Sequence, residues 1–186
     1  MYISFYKGLG SISGAMIMGE KDFCDEARIW LRRFGGNLYT LLPYAVDSWT
    51  GYKENVVATA ADENDGSFQR RYQKLQSLTR QIQSDTNFDT VAVFDPPTPE
   101  TNMVHVYLKA SVGICEKARD NVLQKHGVSV FNRLRETSPC EPAAKLGYGA
   151  KFEWTIGNAN GSIENDVFIT SWGHFTSELQ RILEDA

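Results

Sequence analysis

The densest chemical signal in the chain is a lysine that follows an apolar run and precedes two glycines, in Ser4-Phe5-Tyr6-Lys7-Gly8-Leu9-Gly10. An amine held against apolar neighbours loses solvation and its pKa falls. It then becomes the nucleophile that a Schiff base with a carbonyl compound requires. Ser4, three residues earlier, can offer a hydroxyl to a phosphate group. Gly8 and Gly10 let the backbone approach a planar ligand closely. The same residues also describe an exposed lysine at a strand end, and that alternative stays open.

Two other readings of these residues fail. A serine acylase of the penicillin-binding type opens a helix with Ser-x-x-Lys and carries Ser-Asp-Asn and Lys-Thr-Gly companions. Here glycines follow, and neither triplet occurs. Gly8-Leu9-Gly10 continues to Gly14, one residue too far for the dinucleotide fingerprint. His105, His126 and His174 share no metal-ligand spacing with a cysteine or with each other, so no metal site is expected. His105, on an alternating strand, reads as a hydrogen-bonded structural residue. Cys24 and Cys115 read as small hydrophobes on helices, and Asn160-Gly161-Ser162 reads as a turn.

Those residues must be positioned by a folded scaffold, and the composition supplies one. The chain has 186 residues, of which 42% are hydrophobic and 23% charged, enough for a core in one domain or one and a fraction. Lys and Arg number 19 against 23 Asp and Glu, a formal charge of −4. Nucleic acid is not an expected partner, because such binding rests on clustered cations. Three widely spaced cysteines speak against a disulfide framework. No apolar run approaches the ~20 residues of a membrane span. The first residues lack the basic-then-apolar order of a secretory signal, so a cytoplasmic protein with no membrane partner is expected.

Strands are expected at 2–6 and 15–18, both apolar at nearly every position, as strands covered on both faces are. Asp22 is the expected N-cap of a helix with Phe23, Ala27, Trp30, Leu31 and Phe34 on one face, stopped by Gly35-Gly36. Residues 38–57 read as partly helical, interrupted by Pro43 and Gly51, and 62–67 as a polar loop. The next helix places Phe68, Tyr72, Leu75, Thr79 and Ile82 on one face, with Arg70, Arg71, Lys74 and Arg80 as a solvated face. From Thr90 the order is strand 91–94, a proline-rich loop, strand 104–108, a helix ending at Gly127, strands at 128–134 and 152–156, and a last helix. The expected division is a remnant of a large α/β domain (1–50), a linking helical segment (51–87) and a complete small α+β domain (88–186). The N-terminal part reads as the end of a domain whose beginning is missing.

Taken in order, Lys7-Gly8-Leu9-Gly10, Gly14 to Gly19, Ala27-Arg28, Arg32-Arg33-Phe34-Gly35-Gly36 and Thr101-Asn102-Met103-Val104 resemble one family. It is the threonine aldolase and aromatic amino acid β-eliminating lyase family, pyridoxal-phosphate enzymes of the aspartate-aminotransferase fold (fold type I). The resemblance implies that Lys7 is the Schiff-base lysine, with Ser4, Gly8 and Gly10 around pyridoxal 5'-phosphate. It implies carbon–carbon cleavage of a β-hydroxy amino acid to glycine and an aldehyde.

The family's lysine lies about midway along its chain, so residue 7 implies the C-terminal half only. Such a half would work as part of a homo-oligomer or with a complementing N-terminal half. The family binds its substrate carboxylate with an arginine on a late strand. The matching stretch here, 151–158, has Lys151 as its one cation, which makes Lys151 the candidate for a small amino-acid substrate. Two alternatives stand beside the lyase: a non-catalytic or complementing dimerisation module, and a transferase of the same fold.

Overall fold

The computed structural model describes residues 1–57 and 67–185. The expected polar loop lies outside the described residues except for Ser67. The chain divides into two compact units, Met1–Ser67 and Phe68–Ala186.

In the first unit, β1 (Tyr2–Ser4) pairs antiparallel with β2 (Ala15–Ile17), with Tyr2 opposite Ile17 and Ser4 opposite Ala15. The first strand is shorter than expected. After Ser4 the backbone turns, and the N–H groups of Phe5 and Ser11 donate to the carbonyls of Gly14 (2.9 Å) and Phe5 (3.0 Å).

Helix α1 (Lys21–Arg33) starts one residue before Asp22, flanked by Glu20, and no side chain caps it. Arg32 and Arg33 in its last turn suit the helix dipole, and Gly35 follows at φ +72°. Its apolar face is present but uncovered: Phe23 is 55% exposed, Trp30 45% and Phe34 81%.

Helix α2 (Leu42–Tyr52) continues into a π-helical turn (Lys53–Val57). Pro43 does not interrupt this helix but opens it, since the first turn needs no N–H there. Gly51 does not interrupt it either. It is the point at which α2 presses against the Lys7 turn.

The second unit is a sheet with helices on one face. The sheet order is β3 (Ala92–Asp95), β4 (Met103–Leu108), β6 (Ala150–Thr155), β5 (Arg135–Glu136), all antiparallel. Alternation decides the faces. Val104, Val106, Leu108, Phe152 and Trp154 enter the core, while His105, Tyr107, Lys151 and Glu153 lie on the other face.

The core is closed by α3 (Phe68–Asp85), the short α4 (Phe88–Val91), α5 (Val112–His126) and α7 (Asn165–Glu184), with a one-turn α6 (Pro142–Lys145) outside it. Trp172 on α7 sits edge-on to Phe88, Phe94 and Trp154 at centroid distances of 5.3, 6.2 and 5.5 Å. The expected helix stop is found, with Gly127 left-handed at φ +70°.

Three expectations differ here. Helix α3 packs within this unit rather than linking two parts, because Leu75, Leu78 and Ile82 are fully buried in its core. Two of its cations are engaged by the protein and are not simply a solvated face. Arg71 is 5% exposed and donates to Asn158, and Lys74 donates to the carbonyls of Gly161 (2.9 Å) and Ile163.

The third concerns residues 128–134, which run beside β6 without forming a strand. Phe131 is anchored inward against Phe152 and Phe175 at 5.1 and 5.2 Å. The Phe131 carbonyl accepts from the Ser129 hydroxyl (2.7 Å), and the Asn132 carbonyl accepts from the Arg119 guanidinium (2.9 Å). Those carbonyls are lost to a ladder with β6.

Candidate functional site

Lys7 sits in the turn after β1, and α2 holds that turn. Its own carbonyl accepts from the Gly10 N–H at 2.9 Å, and Gly10 takes φ +73°, a conformation that favours glycine. Leu9, the buried residue of the turn, lays its carbonyl against Gly51, and the Asn55 side chain donates to the carbonyls of Leu9 (3.4 Å) and Gly51 (2.8 Å). Beyond the turn, the Ile12 N–H donates to the Asp47 carboxylate at 2.7 Å. Gly51, Asn55 and Asp47 therefore position the lysine segment. A sequence gap of 46 residues between Leu9 and Asn55 hides this relationship from local pattern reading.

The desolvation expected around Lys7 is not found. The side chain is exposed, because the strand ends at Ser4 and the turn carries Leu9 inward instead. Ser4 is half-buried and accepts from the Tyr2 hydroxyl at 3.3 Å. Hydrogen bonds with Ser4, then Tyr2, and the charge of Lys7 hold the Tyr6 phenol below its ordinary pKa. Gly8 is exposed beside Lys7.

A phosphorylated aldehyde fits this arrangement in two respects. It would find a primary amine open to attack a carbonyl carbon and a group of hydroxyls beside it. Lys7, being exposed, is not in the dry pocket that activates such an amine. Alone, these residues would offer an open amine and not an enclosed site.

Lys151 belongs to the second unit and is already engaged. It forms an ion pair with the Glu141 carboxylate at 2.5 Å, and its ammonium lies 5.9 Å from the Tyr107 ring centroid. The Tyr107 hydroxyl donates to the other Glu141 oxygen at 3.0 Å. Lys151 foremost, then Tyr107 and the Ser138 N–H, hold the Glu141 carboxyl below the usual range. Burial first, and Glu141 second, push the Tyr107 phenol up to about 12. Glu141 was not singled out by the sequence, since it lies ten residues from its partner in a short helical turn.

Beside this group, His105 faces Glu153 across the strands at 3.8 Å. His126 stacks on His174 at 3.7 Å. The Cys115 thiol is buried and pushed up to about 12 by burial, which makes it a packing residue.

No protein-family model matches the chain. An uncharacterized protein of Caenorhabditis elegans is 28% identical over 131 residues, covering 67% of this chain and 28% of that protein. Two solved structures align over 95% of this chain at 26% identity. One is assigned as an aromatic amino acid β-eliminating lyase/threonine aldolase from Exiguobacterium (TM-score 0.70), the other as an L-allo-threonine aldolase from Listeria monocytogenes (TM-score 0.72). The chain spans 44% of the length of each structure, a share consistent with a C-terminal half. Structurally, it is similar to this family of lyases.

Proposed function

From that likeness we propose that this chain is the C-terminal part of a pyridoxal-phosphate-dependent amino-acid lyase similar to threonine aldolase. The observation that supports this reading is Lys7-Gly8-Leu9-Gly10 on its own turn, in a chain that aligns with these lyases over 95% of its length. When bound, pyridoxal phosphate supplies the electron sink for breaking a bond at the substrate α-carbon. Lys7 would hold it through the side-chain amine, with the Ser4 hydroxyl towards the phosphate and Gly8 and Gly10 giving close backbone approach. With a substrate bound, the Lys7 amine would be placed to take or give a proton at its Nζ. Lys151 would meet a substrate carboxylate only by giving up Glu141.

The second reading is a complementing or dimerisation module that does no chemistry itself. It is favoured by the exposure of Lys7 and by the uncovered apolar face of α1. A partner chain, either a second copy or one supplying an N-terminal half, would cover that face and dry the lysine.

Borohydride reduction in the presence of pyridoxal phosphate, followed by peptide mass spectrometry, separates the two readings. The expected outcome is weak labelling of the isolated chain and strong labelling at Lys7 when an N-terminal half of an aldolase-type enzyme is co-expressed. Labelling spread over other lysines, and unchanged in Lys7→Ala, would overturn the lyase reading.

A further inference from the structure

Strand β6 has one fully paired edge and one that is mostly open. On the β4 side, Ile156 donates to Asn102 at 2.9 Å. By the alternation of an antiparallel ladder, even-numbered residues of β6 turn their backbone groups to β4 and odd-numbered ones turn theirs to the β5 side. The Thr137 N–H bond to the Gly149 carbonyl at 3.1 Å keeps that phase, which is broken only at the strand's start, where the Gly149 N–H donates to the Leu108 carbonyl at 3.0 Å. Two residues of β5 face only Lys151 and Ala150, so Glu153 and Thr155 have no strand opposite them. The Thr155 carbonyl accepts from the Asn160 side chain at 3.0 Å. What remains is the N–H and C=O of Glu153 and the N–H of Thr155. Among the described residues none of these three has a protein partner on that side.

These groups open into a wedge of about 700 Å³ between residues 130–135 and 151–155. The wedge exists because Phe131 and Asn132 are tied inward, which holds their segment off β6. Its charge is mainly positive. Lys151 is answered by Glu141, and Glu153, which faces His105 at 3.8 Å, is the one carboxylate among the lining residues. Arg133 and Arg135 stand exposed on the opposite wall. Two residues apart, they match acidic side chains at alternate positions of an extended strand.

We propose that this wedge is a peptide-binding site that takes a short extended acidic segment as an added strand. Its backbone pairs with Glu153 and Thr155, and its alternate carboxylates meet Arg133 and Arg135. Strand addition uses main-chain bonds for affinity and alternate side chains for selection. The open length, residues 152–155, spans roughly 13 Å at 3.3 Å per residue, so three or four peptide residues fill it.

The test uses the whole chain and the probe acetyl-Glu-Thr-Glu-Val-Glu-Thr-amide, with amide exchange followed by NMR. In the free chain the Glu153 and Thr155 amides should exchange fast, and the peptide should slow both. N-methylation at alternate backbone positions should weaken binding at least ~tenfold, the scale of one or two hydrogen bonds. The double variant Arg133→Glu/Arg135→Glu should weaken it similarly while leaving the fold's thermal midpoint in place. Protection of both amides before any peptide is added would overturn the proposal. So would equal binding of the N-methylated peptides, or competition by free glutamate as strong as by the peptide, since that marks a simple anion site.

Discussion

The Leu9 carbonyl oxygen lies 2.3 Å from where a Cβ on Gly51 would stand, so α2 and the lysine turn meet with no room for a side chain. Alanine is favoured over glycine inside a helix by ~1 kcal/mol. Here, however, the obstacle is a backbone carbonyl that cannot rotate away, and overpacking of this kind costs about 1–3 kcal/mol. Gly51→Ala should therefore destabilise the first unit and shift the Lys7 turn. Faster exchange of the Gly10 amide, whose N–H closes the turn on Lys7, would register this. An alanine variant with unchanged Gly10 protection would mean that α2 does not hold the turn.

Glu178 joins α7 to α5. Its carboxylate accepts from Asn121 at 2.7 Å and pairs with Lys125 at 3.1 Å and Arg181 at 2.7 Å. Arg181 foremost, then Asn121 and Lys125, hold the carboxyl at about 2 against an ordinary 4.5. A depressed carboxyl contributes stability that is complete above its unfolded value and is lost as pH falls through the folded one. Glu178→Gln should thus cost ~1–3 kcal/mol at neutral pH. The gap to the natural protein should close between pH 4.5 and 2. Urea midpoints measured across that window check it, and a gap independent of pH would contradict it.

Glu141 neutralises the lysine that the substrate reading needs. If Lys151 meets a carboxylate in the assembled enzyme, Glu141→Gln should improve binding of an amino-acid ligand, whereas Lys151→Met should abolish the gain. Removing Glu141 should also bring the Tyr107 phenol down from about 12, in part only, since burial is the larger cause. Ultraviolet titration of the phenol reads the second effect without any ligand. A Tyr107 titration unmoved by Glu141→Gln would deny the hydrogen bond between them.

Much of the second unit was legible because its signals are local. Val104, Val106 and Leu108 alternate, and Gly127 stops α5 in the left-handed conformation that glycine tolerates. Residues 128–134 misled because their β-forming character is overridden by Phe131, whose ring is better placed in the core than its backbone in a ladder. The lysine turn was legible as a motif and not as an environment. Its solvation depends on Leu9, Gly51 and Asn55, which meet only in three dimensions. Arg71 and Lys74 were misjudged for the same reason, as their partners lie at residues 158–163.

The course of the chain through its second unit yields the last prediction. Sequence texture places the start of the small domain near residue 88, but α3 contributes Leu75, Leu78 and Ile82, each with no exposed surface, to the core around Trp172. Burying one such side chain is worth ~1.5–3 kcal/mol, and three of them approach the whole stability of a domain. A fragment of residues 68–186 should fold alone with a single cooperative urea transition. A fragment of residues 88–186 should lack one, showing helical circular dichroism but no near-ultraviolet tryptophan signal. If the shorter fragment unfolds as cooperatively as the longer, α3 is not part of that core's folding unit.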